Sequence, residues 1–297
     1  FLFLDGFDFG IGALYATRED ESEKETLLGA IGPFWDGNEV WLVVFGGSLF
    51  AVFPSVYANL FSRNYLLMFG ILGTLILRGL APEFREQRHD EAWKRAWDYI
   101  FVAGSVGTTF LLGAFVSNWL LGDASFVAAV LFGVAVVLLT VVEGATFLGI
   151  KTRGKFRDEM TGYARRGVVG YLAVVVVILV YLYIGSGINV VSTGGVVAVA
   201  LTLVFAAGVV GALKAKRYYI AFASAAGMNF TLVGLIAYLL HPFVDPAANL
   251  TIADAVISTL PLNLMTVASA FLIPVVLVYF GVLYSVFSGP VEEGEGY

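Results

Sequence analysis

The stretch Phe126-Val127-Ala128-Ala129-Val130-Leu131-Phe132-Gly133-Val134-Ala135-Val136-Val137-Leu138-Leu139-Thr140-Val141-Val142 decides the fold. No charge interrupts it between Ser125 and Glu143, and apolar residues do not alternate with polar ones. About 20 such residues make a helix long enough to cross a hydrocarbon core of roughly 30 Å. A continuous run favours a helix over a strand of a membrane barrel, whose two faces alternate. Comparable segments lie at 1–16, 38–61, 64–82, 97–121, 125–150, 167–185, 195–213, 218–240 and 263–287. The expectation is therefore an all-α polytopic membrane protein with nine transmembrane helices. The segment at 1–16 is short for a span, which predicts a first helix whose beginning precedes Phe1. It has no basic n-region or cleavage pattern and is not read as a signal peptide.

Composition agrees with this reading. Of 297 residues, 59% are hydrophobic and 13% charged, whereas soluble domains carry about 25% charged residues. That excludes an ordinary soluble enzyme and a disordered chain. A net charge of −6 argues against nucleic-acid binding. The absence of cysteine excludes disulfides, thiolate metal sites and thiol catalysis.

Basic residues set the expected orientation. With each loop numbered by the span it follows, the odd loops hold every lysine and arginine except Arg63. The positive-inside rule places those loops in the cytoplasm, the N-terminus outside and the acidic tail Glu292–Glu295 inside. The long even loop, 241–262, reads as an external connector with a surface helix around Ile252–Thr259.

Ionisable residues within the spans are few: Asp5 and Asp8 in span 1, Asp36 and Glu39 at the start of span 2, Arg78 in span 3, and Glu143 in span 5. A charge in hydrocarbon is costly, so each is a functional candidate. All six fall in the half of the membrane that the basic loops mark as inner. At 1.5 Å per residue from Ala16, Asp8 lies about 12 Å and Asp5 about 16 Å deep. The two share a helix face, as do Asp36 and Glu39, each pair being three residues apart. One reading is structural: Asp36 caps helix 2, and Arg78 forms an ion pair with a nearby acid, Glu143 being a second ion-pair candidate. The other is a proton path through Asp36, Asp5, Asp8, Asn38 and Glu39. The dipeptides Asp5-Gly6 and Glu143-Gly144 also echo each other, a likeness that chance explains better than duplication does.

Asp5-Gly6-Phe7-Asp8-Phe9-Gly10-Ile11-Gly12 and Trp35-Asp36-Gly37-Asn38-Glu39-Val40-Trp41 resemble segments of subunit II of cytochrome bd-type quinol oxidases. Leu77-Arg78-Gly79, Trp93-Lys94-Arg95-Ala96-Trp97-Asp98, Glu143-Gly144-Ala145-Thr146 and Leu262-Asn263-Leu264-Met265 continue the likeness. The resemblance implies two four-helix bundles, here 1–121 and 125–240, a ninth peripheral helix at 263–287, and a cytoplasmic tail at 288–297. It implies a prokaryotic plasma-membrane complex that oxidises quinol and reduces dioxygen to water with cytoplasmic protons. It also implies a haem-bearing subunit I as partner, holding haems b and d, with a small accessory subunit as a further candidate. The Asp36 position would then lie on the proton path, with Asp5 and Asp8 near it. This chain itself is expected to bind no haem or metal and to carry no catalytic residue, with a quinone or lipid as candidate ligand in the second bundle.

Other residues read blandly. His89 falls in a charged inner loop and His241 at the outer end of span 8, Met68, Met228 and Met265 read as packing residues, and the five tryptophans suggest an interfacial belt. The basic loop 151–166 reads as a topology determinant touching anionic lipid. Two other classes stay open: a secondary transporter with an acidic ion site, which needs ligands near the midplane, and a structural scaffold whose acids only cap and pair.

Overall fold

A computed structural model describes residues 1–186 and 188–291. The tail acids Glu292–Glu295 lie outside the described residues. Among the described residues the fold has twelve helices and one short hairpin: α1 (Gly6–Tyr15), α2 (Glu21–Ile31), α3 (Trp35–Val52), α4 (Pro54–Arg63), α5 (Tyr65–Glu86), α6 (Glu91–Leu121), α7 (Phe126–Lys151), α8 (Gly154–Tyr181, continued by a π turn Leu182–Ser186), α9 (Thr193–Lys214), α10 (Tyr218–Leu240), β1 (Phe243–Asp245), β2 (Leu250–Thr251), α11 (Ile252–Ala255) and α12 (Thr259–Val286). Seven of them, α5 to α10 and α12, are long and apolar enough to cross a membrane. The protein is thus an all-α polytopic membrane protein. The expected count of nine rests on adding α1, which has ten residues, and α3, whose first turns carry Asp36, Asn38 and Glu39.

Helix starts follow side-chain chemistry. Asp20, Asp90, Ser125 and Ser192 each accept a hydrogen bond from a backbone N–H in the first turn of the helix that follows, satisfying donors that a helix terminus leaves open. Pro54 ends the expected span 38–61 part-way. It cannot donate to the helix and disfavours a helical Phe53, so α3 stops at Val52 and α4 restarts with Pro54 in its first turn. Pro274 does not interrupt α12.

Three expectations need correction. The charged segment after span 1 is not a plain loop, because α2 occupies Glu21–Ile31. The basic segment 151–166 is largely helical, since α8 begins at Gly154. Hydropathy detects only the lipid-facing part of a helix, so polar extensions escape it. In the connector 241–262, β1 pairs antiparallel with β2 and the surface helix is the single turn Ile252–Ala255. Arg63 reaches the buried Asp245 there at 2.7 Å, and Trp119 Nε1 donates to the Val244 carbonyl at 2.7 Å.

The core is built around α1. Its Phe7, Phe9, Ile11, Leu14 and Tyr15 are all buried, enclosed largely by α6 and α7. Close approach depends on missing side chains: a Cβ on Gly10 would stand 1.8 Å from the Thr140 carbonyl oxygen, and one on Gly144 2.6 Å from the Gly10 backbone. Backbones in such contact gain dispersion and leave lipid little access, the mode by which small residues join membrane helices. By contrast α12 has one buried residue, Phe280, and exposes Leu264, Phe271, Val275 and Val278.

Candidate functional site: a buried carboxylate cluster

Four helices bring polar groups to the start of α1. Asp5 is its N-cap residue and Asp8 lies in its first turn, where the helix dipole favours an anion. Both are fully buried. Arg78 comes from α5, itself 1% exposed, and is admitted because a Cβ on Gly104 of α6 would sit 2.9 Å from its Cβ. Its Nη2 lies 3.5 Å from Asp5 Oδ1, and its Nη1 forms an ion pair with Glu39 of α3. The guanidinium also stands over the Phe9 ring at 4.4 Å. Asn38, again from α3, donates to Asp8 Oδ2 at 2.8 Å and accepts from the Tyr284 hydroxyl of α12 at 3.4 Å.

The cluster is incompletely paired. Both Asp5 oxygens, Asp8 Oδ1, and Arg78 Nε and Nη2 are buried without a hydrogen-bond partner in the protein. Polar atoms enclosed this way ordinarily bond to protein or to ordered water. Glu39 connects the cluster to the surface, its side chain being 26% exposed.

Four of the five expected path residues, Asp5, Asp8, Asn38 and Glu39, therefore converge, and Arg78 is their counter-charge. Asp36 does not join them. It is exposed in the first turn of α3, and it is not the cap, a position held by Phe34 without a side-chain bond. Glu143 also stands apart from Arg78, whose acidic partners are Asp5 and Glu39. It accepts from Asn229 Nδ2 of α10 at 3.0 and 3.1 Å and packs against Gly6, where a Cβ would lie 2.2 Å from its Oε2. The two echoing dipeptides thus meet at the α1–α7 crossing.

A second cluster closes the far end of α1, and sequence reasoning missed it. Asp98 of α6 accepts from the Tyr15 hydroxyl at 2.6 Å, from Lys24 Nζ at 2.7 Å and from Arg85 Nε at 2.7 Å. Glu21 pairs with both Arg85 and Lys24. Partial burial would raise the Glu21 carboxyl, but hydrogen bonds from Arg85 and Lys24 outweigh it and hold the group below its usual value. The same contacts hold Lys24 above its usual value against the opposing effect of burial. One signal was available: Asp20 three residues before Glu23, the spacing of a helix start.

Histidine is the commonest axial donor to haem, and both His89 and His241 are exposed at helix ends. Among the described residues, no three His, Asp or Glu side chains come together as a metal site.

Fold and site together define a multi-pass helical membrane protein with carboxyls enclosed between its helices. Known proteins narrow this further. The family model for cytochrome bd terminal oxidase subunit II matches residues 1–287, and the chain belongs to that family. It is 32% identical over 302 residues to the cytochrome bd ubiquinol oxidase subunit 2 of Bacillus subtilis, covering 93% of this chain and 88% of the relative. Identity to the cytochrome bd-I ubiquinol oxidase subunit 2 of Escherichia coli K12 is 28% over 338 residues, covering 94% and 88%. A probable cytochrome oxidase subunit 2 of Haemophilus influenzae is 33% identical over 208 residues, covering 64% and 55%. The chain is therefore a subunit of a bd-type oxidase, in the plasma membrane of a prokaryote.

Proposed function

We propose that this chain is the haem-free subunit of a bd-type quinol oxidase, and that it supplies the dioxygen-reducing centre with cytoplasmic protons. The haems belong to the partner, subunit I, which performs the electron chemistry. The basic turns face the cytoplasm. Protons arrive at Asp36 and Glu39 on the first turns of α3, pass Arg78, and reach Asp5 and Asp8 at the buried start of α1. Asn38 and Tyr284 position Asp8. A relay needs acceptors that water can bridge inside a protein-lined space. The observation that carries the proposal is the set of enclosed carboxylate oxygens on Asp5 and Asp8 with no protein donor.

A scaffold reading draws support from Arg78, which links Asp5 and Glu39 as a structural ion pair would. Paired measurement of assembly and turnover separates the two. Asp8→Asn and Asp36→Asn complexes should assemble in normal yield, with unchanged haem content, while oxygen consumption per complex falls by about 100-fold or more for Asp8→Asn and less for the exposed Asp36→Asn. Normal turnover in both variants would refute the relay. Lost yield with normal turnover per assembled complex would favour the scaffold.

A further inference from the structure

We propose that the α7–α8 and α9–α10 turns together bind the phosphodiester headgroups of anionic phospholipids. The two turns are held side by side: Arg157 Nε donates to the Thr152 carbonyl at 2.6 Å, and its guanidinium lies 4.6 Å over the Tyr218 ring. Tyr218 in turn packs on Gly149, where a Cβ would come within 3.2 Å of the ring. Around this joint Arg153, Lys214, Lys216 and Arg217 are exposed, and none of them pairs with an acid among the described residues.

That openness is not what topology requires. On the α1–α6 half, Arg18, Lys24, Arg85, Arg88 and Arg95 mark the same side of the membrane and are ion-paired, Lys94 alone having no acid partner among the described residues of that side. Between Lys151 and Arg217 the only acids are Asp158 and Glu159, and Glu159 is engaged by Arg18 at 2.8 Å. Depth selects the partner. Helices α9 and α10 have 22 and 23 residues, about 33 Å at 1.5 Å per residue, so their turn lies at the headgroup layer of a bilayer whose core is about 30 Å. Below it Tyr219 and Ile220 are exposed for contact with acyl chains. A choline headgroup brings its own cation to this patch, whereas a phosphatidylglycerol headgroup brings only the anionic phosphate.

Spin-labelled phosphatidylglycerol and phosphatidylcholine, compared in vesicles holding the purified oxidase complex, test this. The native complex should prefer phosphatidylglycerol, and the Lys214→Gln/Lys216→Gln complex should lose about fivefold or more of that preference. Added salt should bring native and variant complexes together. Lys214→Arg/Lys216→Arg should keep the preference. Equal preference in the native and Gln complexes would overturn the proposal, as would loss in the Arg complex. Displacement of the lipid by inorganic phosphate, beyond that by chloride at equal ionic strength, would reassign the patch to a soluble anion.

Discussion

At Arg78 three helices settle their charges. The side chain is enclosed, and its partners Asp5 and Glu39 come from α1 and α3. Removing one member of a buried ion pair strands the other, at about 3–5 kcal/mol. Arg78→Met should accordingly lower the yield of assembled oxidase sharply, and Asp5→Asn introduced with it should restore part of the loss. Failure of the double variant to recover would show that Arg78 does not act as counter-charge to Asp5. This group was legible in the sequence because carboxylates and arginine are rare in apolar runs, and Asp5, Asp8, Asn38, Glu39 and Arg78 do converge. The place of Asp36 was not legible. The expectation that Asp36 caps helix 2 fails because α3 begins at Trp35 and leaves Asp36 exposed in its first turn. Facing depends on the starting residue, since each residue rotates the face by about 100°.

At the scale of single helices, glycine decides how α1 is seated. Gly10→Ala should abolish assembly, because the new methyl meets the Thr140 carbonyl of α7. Gly46→Ala, with open space around it, should assemble normally; detergent-extracted yield distinguishes them. Helix α2 is docked by ions as well as by oil: Leu27, Leu28 and Ile31 are buried in the core, and Glu21 and Lys24 pair with Arg85 and Asp98. Glu21 is held below the ordinary glutamate value of 4.5, so its contribution is complete above that pH and disappears as pH falls through the lower, folded-state value. Thermal stability of the native complex should drop on acidification below about pH 4.5, and a Glu21→Gln complex should show a shallower drop. Identical pH profiles would remove Glu21 from the docking of α2. Hydropathy found the seven long apolar helices but passed over α2 and the polar first turns of α8. Both bury a few apolar side chains, Leu27 and Ile31 of α2 and Met160 of α8, but polar and charged neighbours keep these from forming a continuous apolar run. The Asp98 cluster escaped because its members lie at 15, 21, 24, 85 and 98, and only folding unites them.

For the whole molecule, the arrangement of bases implies sidedness. The turn at Lys214–Arg217 and the β1–β2 hairpin lie at opposite ends of α10. These 297 residues contain no cysteine, so single cysteines at Lys216 and Asn249 each introduce one labelling site that the unsubstituted complex, run as the control, lacks. Lys216→Cys should react with an impermeant maleimide only from the cytoplasmic side, and Asn249→Cys only from the opposite side. Labelling of both from one face would contradict the topology on which inward proton delivery depends. Proton uptake itself bears most directly on that delivery. With the fully reduced complex in vesicles exposed to a pulse of oxygen, a cytoplasmic-side pH dye should report prompt uptake for the native enzyme. For Asp8→Asn the haem spectrum should stay unchanged while uptake slows by about 100-fold or more; uptake at the native rate would contradict a proton route through this subunit.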